Sequence, residues 1–163
     1  QVTLFGSGAI LREVEAAATY LEENHGVGAE VWSVTSYSEL RRDGLDSDRW
    51  SIRHPAEPRR QAFVTEALRN SHGPFIAASD YMRIVADQIR EWVPGRYTVL
   101  GTDGFGRSDS RRALRDYFEV NSDNIVIAAL KSLSDDGVID AKVVAKEIDK
   151  LGLDPDKPNP VTR

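Results

Sequence analysis

The densest concentration of groups able to grip a ligand or a neighbouring protein is the run Gly101, Thr102, Asp103, Gly104, Phe105, Gly106, Arg107, Ser108, Asp109, Ser110 and Arg111. Three glycines around an aromatic permit tight backbone turns. Asp103, Arg107, Asp109 and Arg111 offer charges that pair across a protein contact or bind an anion at a helix start. The plainer reading of the same residues is a strand-to-helix loop with a capped helix and one buried Phe. Other constellations offer less. Gly6, Ser7 and Gly8 open as a GxGxxG phosphate loop does, but Leu11 stands at the third glycine position and no acidic residue ends the next strand, so a dinucleotide site is disfavoured. Two glycines there instead let the chain reverse and let a helix pack closely on a sheet. His25, His54 and His72 sit beside turn residues and share no helical face with a carboxylate, which argues against metal ligation. His25 and His72 suit helix ends, where the dipole favours positive charge, and His54 precedes Pro55 in a loop. GxSxG is absent, so acyl hydrolysis lacks its nucleophile elbow. With no cysteine there is no thiolate nucleophile, disulfide or Cys-ligated metal. Arg41, Arg42, Arg49, Arg53, Arg59 and Arg60 gather in one stretch, but Asp43, Asp46, Asp48 and Glu57 interleave with them, the pattern of a solvated face.

These residues have to be held by a scaffold of one domain's size: 163 residues, 18.1 kDa, 40% hydrophobic. Lys and Arg total 21 against 26 Asp and Glu, a formal charge of −5, so no field over the whole surface favours nucleic acid or anionic lipid. No apolar run approaches the roughly 20 residues of a membrane span. The expectation is a cytoplasmic protein without nucleic-acid or membrane partners. Gln1 leads straight into an apolar run, which points to a piece of a longer polypeptide.

Hydrophobic spacing supplies the elements. Val2 to Phe5, Ala29 to Val34, Phe75 to Ala78 and Tyr97 to Leu100 read as short strands bounded by turn residues. Helical stripes run through Ile10, Val14, Ala17 and Leu21; through Phe63, Val64, Ala67 and Leu68; and through Met82, Val85, Ala86 and Ile89. A further helix spans about 111–118, capped by Ser108, Asp109 or Ser110. Ile125 to Ala129 suits a buried strand too, but Leu130 and Leu133 continue the helical spacing, so helix is favoured. Asp140 caps a last helix, with Ile139 stapled to Val144. Residues 36–60 read as a long irregular insertion anchored by Leu40, Leu45, Trp50 and Ile52, and residues 152–163 as a Pro-rich tail. Strands alternating with helices call for a parallel sheet covered on both faces, a three-layer α/β/α sandwich in a single domain 1–163. Ligands and partners of such sheets lie beyond the strands' carboxyl ends, at the turns after Phe5, Val34, Ala78 and Leu100.

The strings LGTDGFGRSDSR from Leu100, VWSVTSYSEL from Val31, RDG at Arg42 to Gly44 and SDYMR from Ser79 resemble the carboxy-terminal domain of the homodimeric, thiamine-diphosphate-dependent pyruvate dehydrogenase component. The resemblance extends from TLFGSG to the final KPNP. It implies a transketolase C-terminal-like fold with a five-stranded, mostly parallel sheet. The parent activity it implies is oxidative decarboxylation of pyruvate with acetyl transfer to the lipoyl group of dihydrolipoyl acetyltransferase. It also implies what is not here. The GDG motif and following asparagine pair that hold Mg²⁺ and the cofactor's diphosphate have no counterpart: Asp103 and Gly104 follow Thr102, and Asn121 and Asn124 stand at the wrong distance. On this reading thiamine diphosphate and Mg²⁺ bind elsewhere in the parent, and this piece is noncatalytic. Asp103, Gly104, Phe105, Gly106, Arg107, Ser108, Asp109 and Arg111 would form its interface with the preceding domains and the second subunit. Replacing Phe105 and Arg107 together would then weaken dimer assembly. The competing expectation is a free-standing α/β module that uses the same loop to bind a small anion.

Overall fold

The structure, a computed structural model, describes residues 1–162. Four strands, β1 (Val2–Gly6), β2 (Ala29–Ser33), β3 (Phe75–Ala78) and β4 (Tyr97–Leu100), form one parallel sheet in the order β2-β1-β3-β4. Thr3 pairs with Glu30 on one side and Phe75 on the other, and Phe75 pairs in turn with Tyr97. These are the four strands that the β-rich runs predict. The fifth strand expected from the resemblance is absent among the described residues. Beyond Leu100 the apolar residues fall at helical spacing, and Ile125 to Ala129 lies inside a helix begun by the Asn121 side chain, which accepts the Asn124 N–H.

The period-two alternation of the strands sorts the core into two sides. Val2, Leu4, Ile76 and Ala78 face one helix layer: α1 (Leu11–His25), α6 (Ser122–Asp135) and α7 (Ala141–Leu151). Phe5, Phe75, Ala77, Tyr97 and Val99 face the other: α2 (Tyr37–Arg53), α3 (Phe63–Ala67) and α4 (Arg83–Asp87). The remaining helix, α5 (Arg111–Tyr117), follows β4. The central strands β1 and β3 are buried along their whole length, as parallel strands covered on both faces must be. The expected Asp140 cap is present, its carboxylate accepting the Lys142 N–H at 2.8 Å.

The largest departure from the sequence reading is residues 36–60, expected to be irregular. Tyr37–Arg53 is a 17-residue helix. It starts with a Ser36 cap whose hydroxyl accepts the Glu39 N–H at 3.2 Å, half of an S-x-x-E capping box. Its buried residues are Tyr37, Gly44 and Ser47, with Leu40 half-buried beside them, so little of the stripe is apolar. Two of the anchors named from sequence, Leu45 and Ile52, face solvent. Gly44 is required by contact: a Cβ there would overlap the Trp92 indole. Trp92 Nε1 donates to Asp48 at 2.9 Å, and the Phe63 N–H donates to Asp43 at 2.5 Å, so polar bonds tie down a helix with little grease of its own.

Candidate functional site

The loop between β4 and α5 lies across the carboxyl ends of β3 and β4, and its first residues fix it to the segment after β3. At Gly101 a Cβ would sit 2.7 Å from both the Tyr81 carbonyl and the Arg83 nitrogen, so the two backbones touch directly. The Thr102 N–H donates to the Tyr81 carbonyl at 2.9 Å and its hydroxyl to the Asp80 carbonyl at 2.8 Å. Asp103 Oδ1 accepts the Arg83 N–H at 3.0 Å, and its other oxygen lies 3.5 Å from Arg83 Nε. Met82, at the start of α4, has no capping side chain of its own, and Asp103 supplies that acceptor from the next loop.

Gly104 has φ +104°, and a Cβ there would lie 2.5 Å from the Pro160 carbonyl, so the C-terminal tail rests against the loop. The Arg107 guanidinium stacks 4.4 Å over the Tyr117 ring. Asp109 accepts the Ser110 N–H at 2.6 Å, and of the three candidate caps it is Ser110 that takes the position, accepting the Ala113 N–H at 3.3 Å. Behind the loop, Arg115 donates to Glu13 at 2.7 Å, while the other Glu13 oxygen accepts the Ser122 N–H at 3.0 Å. One carboxylate thus fastens α5 and the start of α6 to α1.

The sequence-selected residues therefore divide. Asp103, Asp109 and Arg107 are occupied within the chain, Gly104 shapes the backbone, Gly106 has open space where a Cβ would go, and Ser108, Arg111 and above all Phe105 are exposed. Phe105 is 80% exposed, which removes the reading of it as a buried loop anchor. Sequence reasoning missed two further exposed side chains, in the segment that the start of the loop is bonded to. Tyr81 is 64% and Met82 57% exposed, although Met82 reads as part of a helical core stripe. The helix begins only at Arg83 and covers five residues, too short to carry that stripe. The turn residues Ser79 and Asp80 before Tyr81 are the signal for the later start.

The other turns at this end of the sheet are structural. Ser7 donates to Ser79 at 3.1 Å, and Ser79 Oγ accepts the Tyr81 N–H, closing the point where the chain switches direction between β1 and β3. A Cβ on Gly6 would lie 2.8 Å from Leu11 Cα, the close helix approach expected of that glycine. Among the clefts that open here, two border the strand ends. One of about 480 Å³ is bordered by Arg107, Arg111 and Arg115, but Asp80 shares it and Arg115 is neutralised by Glu13. The second, about 540 Å³ and mainly apolar, lies beyond β1 and β2 among Trp32, Val34, Leu40 and Phe63.

The histidines are apart. His25 contacts Glu147 at 3.1 Å, His54 stacks on Trp50 at 4.3 Å and donates from Nδ1 to its carbonyl, and the His72 carbonyl accepts the Thr3 hydroxyl. Among the described residues no three His, Cys, Asp or Glu side chains are grouped to hold a metal ion. A Mg²⁺–diphosphate donor set does not fit either: Asp103 is engaged by Arg83, and Asn121 Oδ1 accepts both the Asn124 N–H and its side-chain amide. No helix among the described residues is long and apolar enough to cross a membrane.

Residues 1–121 match the family model described as transketolase-like TK C-terminal domain. Curated relatives include proteins named pyruvate dehydrogenase E1 component. That of Pseudomonas aeruginosa is 56% identical over 161 residues, those of Cupriavidus necator and Escherichia coli 49% over 162 and 50% over 161. These matches take in 98–99% of this chain but only 18% of each relative, so the chain spans less than a fifth of their length. Among solved structures, a split-gene transketolase described as an inactive beta4 tetramer superposes with a TM-score of 0.60 at 20% identity. That match covers 82% of this chain and 39% of the other, a likeness of fold.

Proposed function

The chain belongs to the transketolase-like TK C-terminal domain family, and from that premise we propose that it is the noncatalytic carboxy-terminal domain of a homodimeric pyruvate dehydrogenase. The parent enzyme, in the cytoplasm, would decarboxylate pyruvate on thiamine diphosphate and Mg²⁺ and pass the acetyl group to the lipoyl arm of dihydrolipoyl acetyltransferase. The cofactor would sit in other domains of the longer polypeptide. This domain's contribution would be to hold those domains and the second subunit in register, since a catalytic pocket tolerates little misplacement.

The observation that carries this reading is the state of the loop 101–111. Asp103, Arg107 and Asp109 are taken up by bonds and stacking that rigidify it, while its one large apolar side chain, Phe105, is left 80% exposed, and Tyr81 and Met82, in the segment the loop is bonded to, are exposed as well. A loop built for bond-making would present its charged groups and bury its aromatic. A rigid loop offering an aromatic is what a protein contact uses. The anion-binding alternative is less well supported because acids share the two larger arginine-bordered clefts, Asp80 in one and Glu13, Asp116 and Asp123 in the other.

The test is Phe105→Ala, alone and with Met82→Ser, in the full-length enzyme. Loss of an interface aromatic should weaken dimer association by about tenfold or more and lower turnover. The 163-residue chain carrying the same changes should keep its melting temperature, because neither side chain is part of the core. Unchanged association and turnover would refute the assignment.

A further inference from the structure

Six arginines between Arg41 and Arg60 are interleaved with acids, and on sequence alone they read as a neutralised, solvated face. The structure separates them. Glu39 pairs with Arg42, Asp46 with Arg60 and Asp48 with Arg59, while Asp43 is spent on the Phe63 N–H. Arg41, Arg49 and Arg53 are left without a carboxylate partner among the described residues. At 100° per residue they lie within one 120° arc of α2 that begins about 40° from the buried Tyr37 and turns away from Gly44 and Ser47. Leu45 and Ile52, 47% and 78% exposed and seven residues apart, lie along the same arc. An exposed aliphatic pair at i, i+7 with cations on its flanks is half of a helix–helix contact.

We propose that this outward face of α2 docks an acidic amphipathic helix of a partner protein. Charge complementarity selects the occupant. The stripe is cationic on a chain of net charge −5, and Arg41 to Arg53 spans about 18 Å along the axis, the reach of some three helical turns. Asp46, Asp48 and Glu39 border the stripe. A partner helix can place its carboxylates between those acids, whereas a continuous polyanion meets them at every register. Two aliphatic side chains are enough to seat a helix, but they are a small apolar face for insertion into lipid.

The test uses the 163-residue chain and a fluorescein-labelled synthetic helix with Leu at i, i+7 flanked by Glu, read by anisotropy, beside a counterpart with Lys in place of Glu. The Glu peptide should bind, and its affinity should fall about tenfold as ionic strength is raised. The triple variant Arg41→Glu, Arg49→Glu, Arg53→Glu should lose the Glu peptide and gain the Lys peptide. That exchange also shows that the variant is folded. Leu45→Ser with Ile52→Ser should weaken binding without exchanging preference. Equal binding of both peptides, or no binding of the Glu peptide, overturns the proposal. So does tighter binding of phosphatidylserine vesicles or a single-stranded oligonucleotide that is lost in the triple variant.

Discussion

Glu147 is a carboxylate that α7 buries against α1, and three partners converge on it. Tyr20 donates to Oε1, Lys150 lies 3.3 Å from the same oxygen, and His25 contacts Oε2. Burial pushes the carboxyl up, but the bonds from Tyr20 and Lys150 and the neighbouring His25 outweigh it and hold the group below the usual range for glutamate. A depressed folded-state value contributes stability that is present above the unfolded value, near 4.3, and is lost as pH falls through the folded one. Glu147→Gln should therefore cost about 1–3 kcal/mol at neutral pH, where the charged acceptor is removed from its partners. The cost should shrink as pH falls below the unfolded value and on through the lower folded one, where the wild-type carboxyl becomes neutral too. Urea unfolding of both proteins across that range checks it, and a pH-independent gap would mean the carboxylate's charge has no part in docking α7. Nothing in the sequence marks this residue: it sits one position from Ile148 on a helix face, and only the fold brings Tyr20 and His25 to it.

At the scale of elements, what was legible depended on how each element buries itself. The four strands were readable because each is a β-branched or aromatic run closed by turn residues, and α1 and α6 because their apolar residues recur at helical spacing. α2 was not, because tertiary bonds to Asp43 and Asp48 replace the apolar side chains a buried stripe normally has. Its one local signal was the S-x-x-E cap at Ser36 and Glu39. Gly44 tests this account. Alanine is favoured over glycine inside a helix by about 1 kcal/mol. Here the added methyl meets the Trp92 indole, and forcing a methylene into a packed contact costs about 1–3 kcal/mol. Gly44→Ala should lower stability, by urea midpoint, despite its better propensity. Combined with Trp92→Leu it should cost clearly less than the sum of the two single changes. Additive losses would place the glycine requirement elsewhere.

In the molecule as a whole, the exposed Phe105 loop lies at the carboxyl end of the sheet, and residues 157–160 are tied to the same place. Lys157 donates to the Asp116 carbonyl at 2.6 Å at the end of α5, Pro160 is buried, and its carbonyl abuts Gly104. The glycine pattern made the loop visible in the sequence, but the tail's contact with it was not, since a Pro-rich stretch carries no periodicity that names what it touches. The tail then has a mechanical consequence. Residues 101–103 are fixed by Tyr81, Asp80 and Arg83, and Arg107 by Tyr117, so Gly104 to Gly106, with Phe105 at the centre, is the stretch that relies on Pro160. Truncation after Pro158 should leave the core intact and lower the melting temperature by only about 2–4 °C, the shift expected for roughly 1 kcal/mol in a chain of this length. Amide exchange should accelerate at Gly104 to Gly106 while β1 and β3 stay protected, since local opening there no longer has to displace the tail. Exchange that rises across the whole sheet would make the tail part of the core, and exchange unchanged in the loop would free Gly104 of any dependence on Pro160.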